Sequence, residues 1–155
     1  MSLPVPPVGS AAPEFAADTT AGTRIQLADF RGKQHVLLAF FPLAFTSVCT
    51  AEMCAFTDDF DAFASKDVAV IPMSVDAVPA LKAFKAQYQI GVELASDLSR
   101  ATSRAYGVYN EERFISGRAY FLIDKAGILR WSFVEPHPGT RRENAEILAE
   151  IAKLG

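Results

Sequence analysis

The hydrophobic pattern is strongest where a buried strand is followed by a helix. Consecutive apolar residues from Val36 to Phe41 predict a strand over residues 35–41 that is buried on both faces. Pro42 ends this strand, because proline cannot donate a hydrogen bond to a neighbouring strand. Beyond it, apolar side chains recur at steps of four, three, four and three residues, which is the spacing of one helical face. This stripe, which predicts a helix over residues 47–64, consists of Cys49, Met53, Phe56, Phe60 and Phe63.

The rest of the chain also alternates between strand and helix patterns. An irregular lead-in over residues 1–13 precedes a hairpin over residues 14–27. After the central helix, the pattern predicts an apolar strand over residues 68–75 with a bulge or irregularity at Pro72, a helix over 78–88, a short strand over 92–95 and a short helix over 98–106. A hairpin of strands 119–123 and 128–134 follows, and then a last helix capped by Thr140, with Ile147, Leu148 and Ile151 facing inward.

This order of elements predicts an α/β protein whose central mixed sheet is flanked by helices and preceded by a hairpin. It is compatible with a thioredoxin-like fold, although periodicity alone does not name one. The length of 155 residues fits a single domain over residues 1–155 with a sizeable core.

Composition and charge narrow the possible functions. Half of the residues are apolar and 21% are charged, as in soluble globular proteins. The net charge of −3 gives no electrostatic support for binding nucleic acid. No apolar run reaches the ~18 residues that a membrane helix needs, and residues 1–7 lack the features of a secretory signal. We therefore expect a cytoplasmic protein that binds neither nucleic acid nor membrane.

In a reducing compartment, two cysteines are more typical of reactive or metal-binding sites than of a permanent disulfide. The two cysteines and the distant His35 and His137 make a poor zinc set, so no metal is expected. Cys49 falls in the first turn of the predicted helix, behind the N-cap candidates Thr46 and Ser47. Free backbone N–H groups and the helix dipole favour a thiolate there. The alternative is that Cys49 is a small buried apolar residue.

The spacing Pro42-x3-Thr46-x2-Cys49-x2-Glu52 resembles the active-site motif of peroxiredoxins, thiol peroxidases with a thioredoxin-like fold. Cys54, five residues after Cys49, resembles the resolving cysteine of the Q type, the bacterioferritin-comigratory proteins. The sequence of residues 41–46 is more similar to the E type of alkyl hydroperoxide reductase, whose members can lack a second cysteine. The subtype therefore stays open. The resemblance extends from about Gly9 to the last helix.

The resemblance implies that Cys49 attacks the peroxide and becomes a sulfenic acid. Thr46 would hold the thiolate and position the peroxide with its hydroxyl, beside a structural role as a helix cap. Pro42 would shield the pocket from water, as well as ending the strand. Cys54 would resolve the sulfenic acid as a disulfide, with an inert thiol or half of a structural disulfide as the alternatives.

Two charged residues complete the implied site. Arg118 stands just before an apolar strand and the Asp-x-x-Gly turn at residues 124–127, where peroxiredoxins carry an active-site arginine. Its guanidinium would stabilise the thiolate and donate to the peroxide, whereas most arginines at strand ends are simply solvated. Glu52 matches an acid expected in the first helical turn, and the family pattern implies that it orients Arg118.

These roles imply a thiol-dependent peroxidase for hydrogen peroxide and organic hydroperoxides. A thioredoxin or glutaredoxin-like protein would recycle it, without metal, flavin or haem, and we expect a monomer or weak homodimer. The alternatives are a thiol-disulfide oxidoreductase that uses the same cysteines and a non-catalytic redox-sensing interaction module.

The spacing of the cysteines has a geometric consequence. Residues five apart in a regular helix have Cα atoms ~8.6 Å apart, and a disulfide needs roughly 4.4–6.8 Å. Cys49 and Cys54 therefore cannot form a disulfide while the helix is intact, and resolution by Cys54 requires its first turns to unwind.

Overall fold

A seven-stranded mixed sheet forms the centre of the computed structural model, which describes residues 4–154. The strands are, in chain order, β1 (Ala16–Thr19), β2 (Arg24–Gln26), β3 (His35–Phe40), β4 (Val68–Ser74), β5 (Ala95–Ser96), β6 (Tyr109–Asn110), β7 (Ile115–Ser116), β8 (Ala119–Ile123) and β9 (Leu129–Val134). The central sheet has the order β2-β1-β5-β4-β3-β8-β9, and β6 and β7 form a separate pair.

The helices connect and cover these strands. They are α1 (Ser47–Asp58), α2 (Phe60–Ala64), α3 (Val78–Tyr88), α4 (Ala101–Ala105) and α5 (Asn144–Ala152), together with a short 3₁₀ helix at Leu27–Phe30. The prediction of an α/β protein with a mixed sheet flanked by helices and an N-terminal hairpin is therefore confirmed. None of these helices in residues 4–154 is long and apolar enough to cross a bilayer.

The two faces of the sheet bury two separate clusters of apolar side chains. On β3, Leu37 and Ala39 face the cluster that α1, α2, α3 and α5 cover. Their neighbours on β3, Val36, Leu38 and Phe40, face a second cluster under the N-terminal segment and Tyr106. This alternation explains why residues 36–41 are continuously apolar, because both faces of β3 are buried.

The helix predicted over residues 47–64 is interrupted at Asp59, whose φ of −104° and ψ of 16° depart from helical values. The side chain of Asn144, at the start of α5, donates to Ala55 O and to Asp59 Oδ2, both at 2.9 Å. A side chain that inserts into a helical turn in this way bends the helix. The change of direction leaves Phe60 about half exposed, so its place in the predicted apolar stripe was wrong.

The bulge expected at Pro72 is also absent, because the β3–β4 register runs unbroken through the pair Ala39 and Pro72. The carbonyls of Asp67 and Met73 accept backbone hydrogen bonds on the β3 side. The backbone groups of the odd-numbered residues of β4 therefore face β3, and the backbone nitrogen of Pro72 faces the opposite neighbour in the sheet. On that side β5 pairs only from Met73 onward. The missing N–H of proline therefore leaves no neighbouring carbonyl without a donor.

The predicted lead-in agrees with the structure, whereas two further predictions differ from it. The lead-in is irregular over residues 4–13, apart from a bridge between Ala11 and Ile128, and residues 1–3 lie outside the described residues. The short strand predicted over residues 92–95 lies instead at β5. Thr140 does not cap the last helix, which has Glu143 at its N-cap. Its hydroxyl lies 2.9 Å from His137 O and 3.1 Å from Glu135 Oε1, inside the preceding loop.

Asn144→Ala should lower the free energy of unfolding by ~1–3 kcal/mol, because a buried donor that serves two acceptors is removed. Thermal or denaturant unfolding measures the loss. Gln87→Ala, which removes an amide from an exposed position of α3, should change stability by less than ~0.5 kcal/mol. Equal effects of the two substitutions would show that Asn144 does not hold the junction of α1 and α2.

Candidate active site

The sheet topology brings the beginning of α1 and the beginning of β8 together. β3 and β8 are antiparallel, and the pair Phe40 and Ala119 places the end of β3 beside the start of β8. Arg118 immediately precedes β8, and the chain that leaves β3 enters α1 at Ser47. Two residues that are 69 positions apart in sequence, Cys49 and Arg118, are thereby placed in contact.

Arg118 donates from Nη2 to Cys49 Sγ at 3.1 Å. Both residues are almost completely buried, with exposed fractions of 1% for Cys49 and 2% for Arg118. Cys49 is the third residue of α1, where the unpaired N–H groups of the first turn also favour negative charge. The arrangement stabilises a thiolate at Cys49 through a charge-assisted hydrogen bond.

The other two nitrogens of the Arg118 guanidinium also have acceptors. Its Nη1 lies 2.6 Å from Glu52 Oε1 in an ion pair whose two side chains are at most 2% exposed. Its Nε and Nη2 lie 3.4 and 3.3 Å from the carbonyl oxygen of Pro138. Burying an arginine is tolerated only when its charge is paired and its N–H groups have acceptors. Glu52 provides the countercharge from the second turn of α1, so its predicted place in the first turn was wrong.

Burial raises the pKa of the Glu52 carboxyl above its ordinary value, against the opposing effects of Arg118 and Tyr120. Burial also acts to lower the pKa of Arg118, but Glu52 and Cys49 outweigh it and hold that pKa above its ordinary value. Arg118 therefore keeps its positive charge beside the sulfur.

A cavity of about 260 Å³ lies over the sulfur. It is lined by Pro42, Leu43, Thr46, Ser47, Val48, Cys49, Ile115, Arg118, Pro138 and Gly139. The structure thus brings Pro42, Thr46, Cys49 and Arg118 together at one cavity, with Glu52 behind Arg118. A second cavity of about 490 Å³ shares Pro42, Ile115, Arg118 and Pro138 with the first, so the two adjoin.

Thr46 occupies the N-cap position of α1, but its hydroxyl makes no capping hydrogen bond. The hydroxyl donates instead to Leu43 O at 2.8 Å. The expectations of a side-chain cap and of a bond from this hydroxyl to the thiolate therefore do not match the described contacts. Because its hydrogen is directed to Leu43, the oxygen of Thr46 presents lone pairs to its surroundings.

Cys54 is half-buried and lies outside the cavity. Both cysteines are free, and α1 is continuous from Ser47 to Asp58, so the two sulfurs are held apart as the helical geometry requires. Among residues 4–154, no group of three or more His, Cys, Asp or Glu side chains is arranged to hold a metal ion. His137 lines the second cavity, and its Nδ1 accepts a hydrogen bond from Gly139 N at 2.9 Å.

Two parts of the site were missed by sequence reasoning. Tyr120 donates to Glu52 Oε2 at 2.7 Å and belongs to the same network. The sequence did contain a signal for Tyr120. Residues 118 and 120 lie on the same face of the extended chain, and a hydroxyl in an otherwise apolar strand needs a hydrogen-bond partner. The wall formed by Pro138 and Gly139 lies in an irregular loop, where no hydrophobic period marks a position.

Comparisons with known proteins show which family the chain belongs to. The sequence profile of the AhpC/TSA family matches residues 8–132. Alkyl hydroperoxide reductase E of Mycobacterium tuberculosis is 36% identical over 138 residues, which cover 88% of this chain and 90% of that protein. Thioredoxin peroxidase of Fasciola hepatica is 38% identical over 137 residues, with coverages of 82% and 70%. The reduced 2-Cys peroxiredoxin of Plasmodium vivax superposes with a TM-score of 0.88 at 34% identity, covering 95% of this chain and 81% of that one.

Arg118→Ala should weaken the stabilisation of the Cys49 thiolate by ~1.5–3 kcal/mol, the range for one hydrogen bond to a charged group, so Cys49 should be alkylated more slowly at neutral pH. The rate of alkylation by iodoacetamide, followed against pH in folded protein, measures the loss. Arg130→Ala is the matched control, because it removes a half-exposed arginine of β9 that is paired with Asp124. Cys49 of this variant should be alkylated as in the wild type. Identical profiles for both variants would mean that Arg118 does not stabilise the thiolate.

Proposed function

Because the chain belongs to the AhpC/TSA family of peroxiredoxins and is a thiol-dependent peroxidase, we propose that peroxide is reduced at Cys49. The observation that carries this assignment is the contact between Arg118 and Cys49 Sγ at 3.1 Å, beside a cavity of about 260 Å³. Cys54 has no such donor described and lies outside that cavity.

In the proposed reaction, the thiolate sulfur of Cys49 attacks one oxygen of a hydroperoxide. An S–O bond forms and the O–O bond breaks, so the sulfur is oxidised by two electrons to a sulfenic acid. The leaving oxygen takes up a proton and departs as an alcohol, or as water when the substrate is hydrogen peroxide. Arg118 would stabilise first the thiolate and then the charge that develops on the oxygens.

Thr46 and Pro42 would shape the approach of the peroxide. With its own hydrogen donated to Leu43 O, the hydroxyl of Thr46 would accept the O–H of the hydroperoxide. Pro42 contributes an apolar wall without an N–H group and would limit the access of water to the thiolate. These roles are supported by the shared cavity.

Cys54 would resolve the sulfenic acid, as in the Q type, by attacking the Cys49 sulfur with loss of water and formation of a disulfide. A dithiol protein of the thioredoxin or glutaredoxin kind would then reduce the disulfide by exchange. The Fasciola hepatica relative is called a thioredoxin peroxidase, which supports such a reductant. The cytoplasmic location and the monomeric or weakly dimeric state stay predictions.

Cys49→Ser should abolish the consumption of hydrogen peroxide and of an organic hydroperoxide, because the nearly isosteric change removes only the nucleophile. A peroxide-consumption assay with added dithiol reductant, supported by an unfolding curve, measures the loss. Wild-type turnover in this variant would overturn the assignment of Cys49. Cys54→Ser serves as the paired control, since it removes the other thiol and should still react with one equivalent of peroxide.

The same Cys54→Ser variant should stop at the Cys49 sulfenic acid and turn over only with a small thiol or another reductant. In the wild type, mass spectrometry after oxidation should find a Cys49–Cys54 disulfide. Amide hydrogen exchange should show lost protection over residues 47–56, because the intact helix cannot accommodate that bond. A stable sulfenic acid in the oxidised wild type would contradict resolution by Cys54 and favour a one-cysteine mechanism.

A further inference from the structure

The hydroxyl of Tyr120 joins two parts of the active site. It donates to Glu52 Oε2 at 2.7 Å and accepts a hydrogen bond from the backbone N–H of Arg142 at 3.0 Å. The side chain is fully buried between α1 and the sheet, and its ring packs 6.3 Å from that of Trp131. Both hydrogen-bonding functions of the hydroxyl are therefore used.

The donor to Glu52 is needed because the carboxylate is buried. Arg118 binds Oε1, so without Tyr120 the second oxygen would lack this donor in a site that water does not reach. A buried carboxylate that loses a donor takes up a proton more readily. A protonated Glu52 no longer supplies the countercharge that fixes the guanidinium of Arg118.

The acceptor side of the hydroxyl connects this network to the loop over residues 135–143. The loop also supplies the carbonyl of Pro138, which accepts from Arg118, and Pro138 and Gly139 form part of the cavity wall. An ion pair of 2.8 Å between Arg142 and the buried Glu135 closes the loop on itself. Tyr120 and Arg118 therefore attach the same loop at two points.

We propose that Tyr120 is a positioning residue for the peroxide step, which holds Glu52 in its ionised form and the loop over residues 135–143 in place, and through them fixes Arg118 on Cys49. The proposal rests on the proposed function for the roles of Cys49 and Arg118. Tyr120 itself touches neither the sulfur nor the cavity in the described contacts.

The proposal has a consequence for pH dependence. The groups around Glu52 are Arg118 just before β8, Tyr120 on β8 and Arg141 from the loop, with Cys49 one turn away on its own helix. Removing the hydroxyl of Tyr120 withdraws a donor from the ionised carboxylate, so Glu52 should hold its proton to higher pH. If ionised Glu52 is required, the acid limb of the rate profile should move up by about one to two pH units, the equivalent of one hydrogen bond to a charged group.

The test compares Tyr120→Phe with Tyr106→Phe. Tyr106 is equally buried, and its hydroxyl also donates at 2.7 Å, but to Pro13 O on the opposite face of the sheet. Stopped-flow rates of sulfenic acid formation are measured against pH and divided by the thiolate fraction from ultraviolet absorbance. Tyr120→Phe should shift the acid limb upward and recover most of its rate at high pH, whereas Tyr106→Phe should keep the wild-type profile.

Two further measurements separate positioning from a general loss of structure. Glu52→Gln cannot ionise, so its rate profile should lack the Glu52 limb, and adding Tyr120→Phe should shift nothing further. An infrared titration should show the carboxylic acid band that Glu52→Gln deletes persisting to higher pH in Tyr120→Phe.

A uniform loss of rate at all pH values in Tyr120→Phe, or a shift equal to that of Tyr106→Phe, would overturn the proposal. A wild-type pH profile of the rate in Glu52→Gln would also overturn the proposal, and this measurement does not require a variant at Tyr120. If the wild type itself fails to react with peroxide, the proposed function fails instead, and the infrared titration still decides whether Tyr120 holds Glu52 ionised.

Discussion

The buried guanidinium of Arg118 is the constraint on which the active site depends. A positive charge removed from water is tolerated only where anions and carbonyls replace the lost hydration. Here the replacements are the sulfur of Cys49 and the carboxylate of Glu52, both on α1, and the carbonyl of Pro138 in the loop over residues 135–143. The position of the nucleophile, the start of α1 and the wall of the cavity are therefore fixed together, because they satisfy one side chain.

The sheet supplies the rigidity that this arrangement requires. β3 and β8 lie in the interior of the sheet, with apolar clusters on both faces, so the relative position of their ends cannot drift. The site lies where the end of β3 meets the start of β8, and α1 begins shortly after β3 in the chain. A nucleophile and a cation that are 69 residues apart in sequence can be held within hydrogen-bond distance because one pair of adjacent central strands positions both of them.

The sequence allowed much of this to be predicted, and the failures have physical reasons. Local periodicity predicts the buried strand before Pro42, the helix with Cys49 in its first turn and the hairpin of β8 and β9, because the pattern of each element lies entirely within its own segment. The break at Asp59 could not be predicted from local sequence, because it is caused by Asn144, which lies 85 residues further along the chain. The tolerance of Pro72 likewise depends on where β5 begins. For the site, the motif predicted Pro42, Thr46, Cys49 and Glu52, and the strand before the Asp-x-x-Gly turn predicted Arg118. The contacts of Glu52 with Tyr120 and of Arg118 with Pro138 arise from long-range packing and from an irregular loop that local patterns do not describe.

Glu52 lies between Cys49 and Cys54 on the same helix, and this position would couple the proposed disulfide between them to the stability of α1. Any unwinding of α1 that brings the two sulfurs together also removes Glu52 from Arg118 and leaves that cation without its countercharge. Breaking a buried ion pair in this way costs about 3–5 kcal/mol. Such a cost, borne only by the oxidised form, would raise the reduction potential of the disulfide by about 60–110 mV. The ion pair that prepares the thiolate would thus also make the disulfide easier for a dithiol protein to reduce, and α1 would refold once the two thiols are restored.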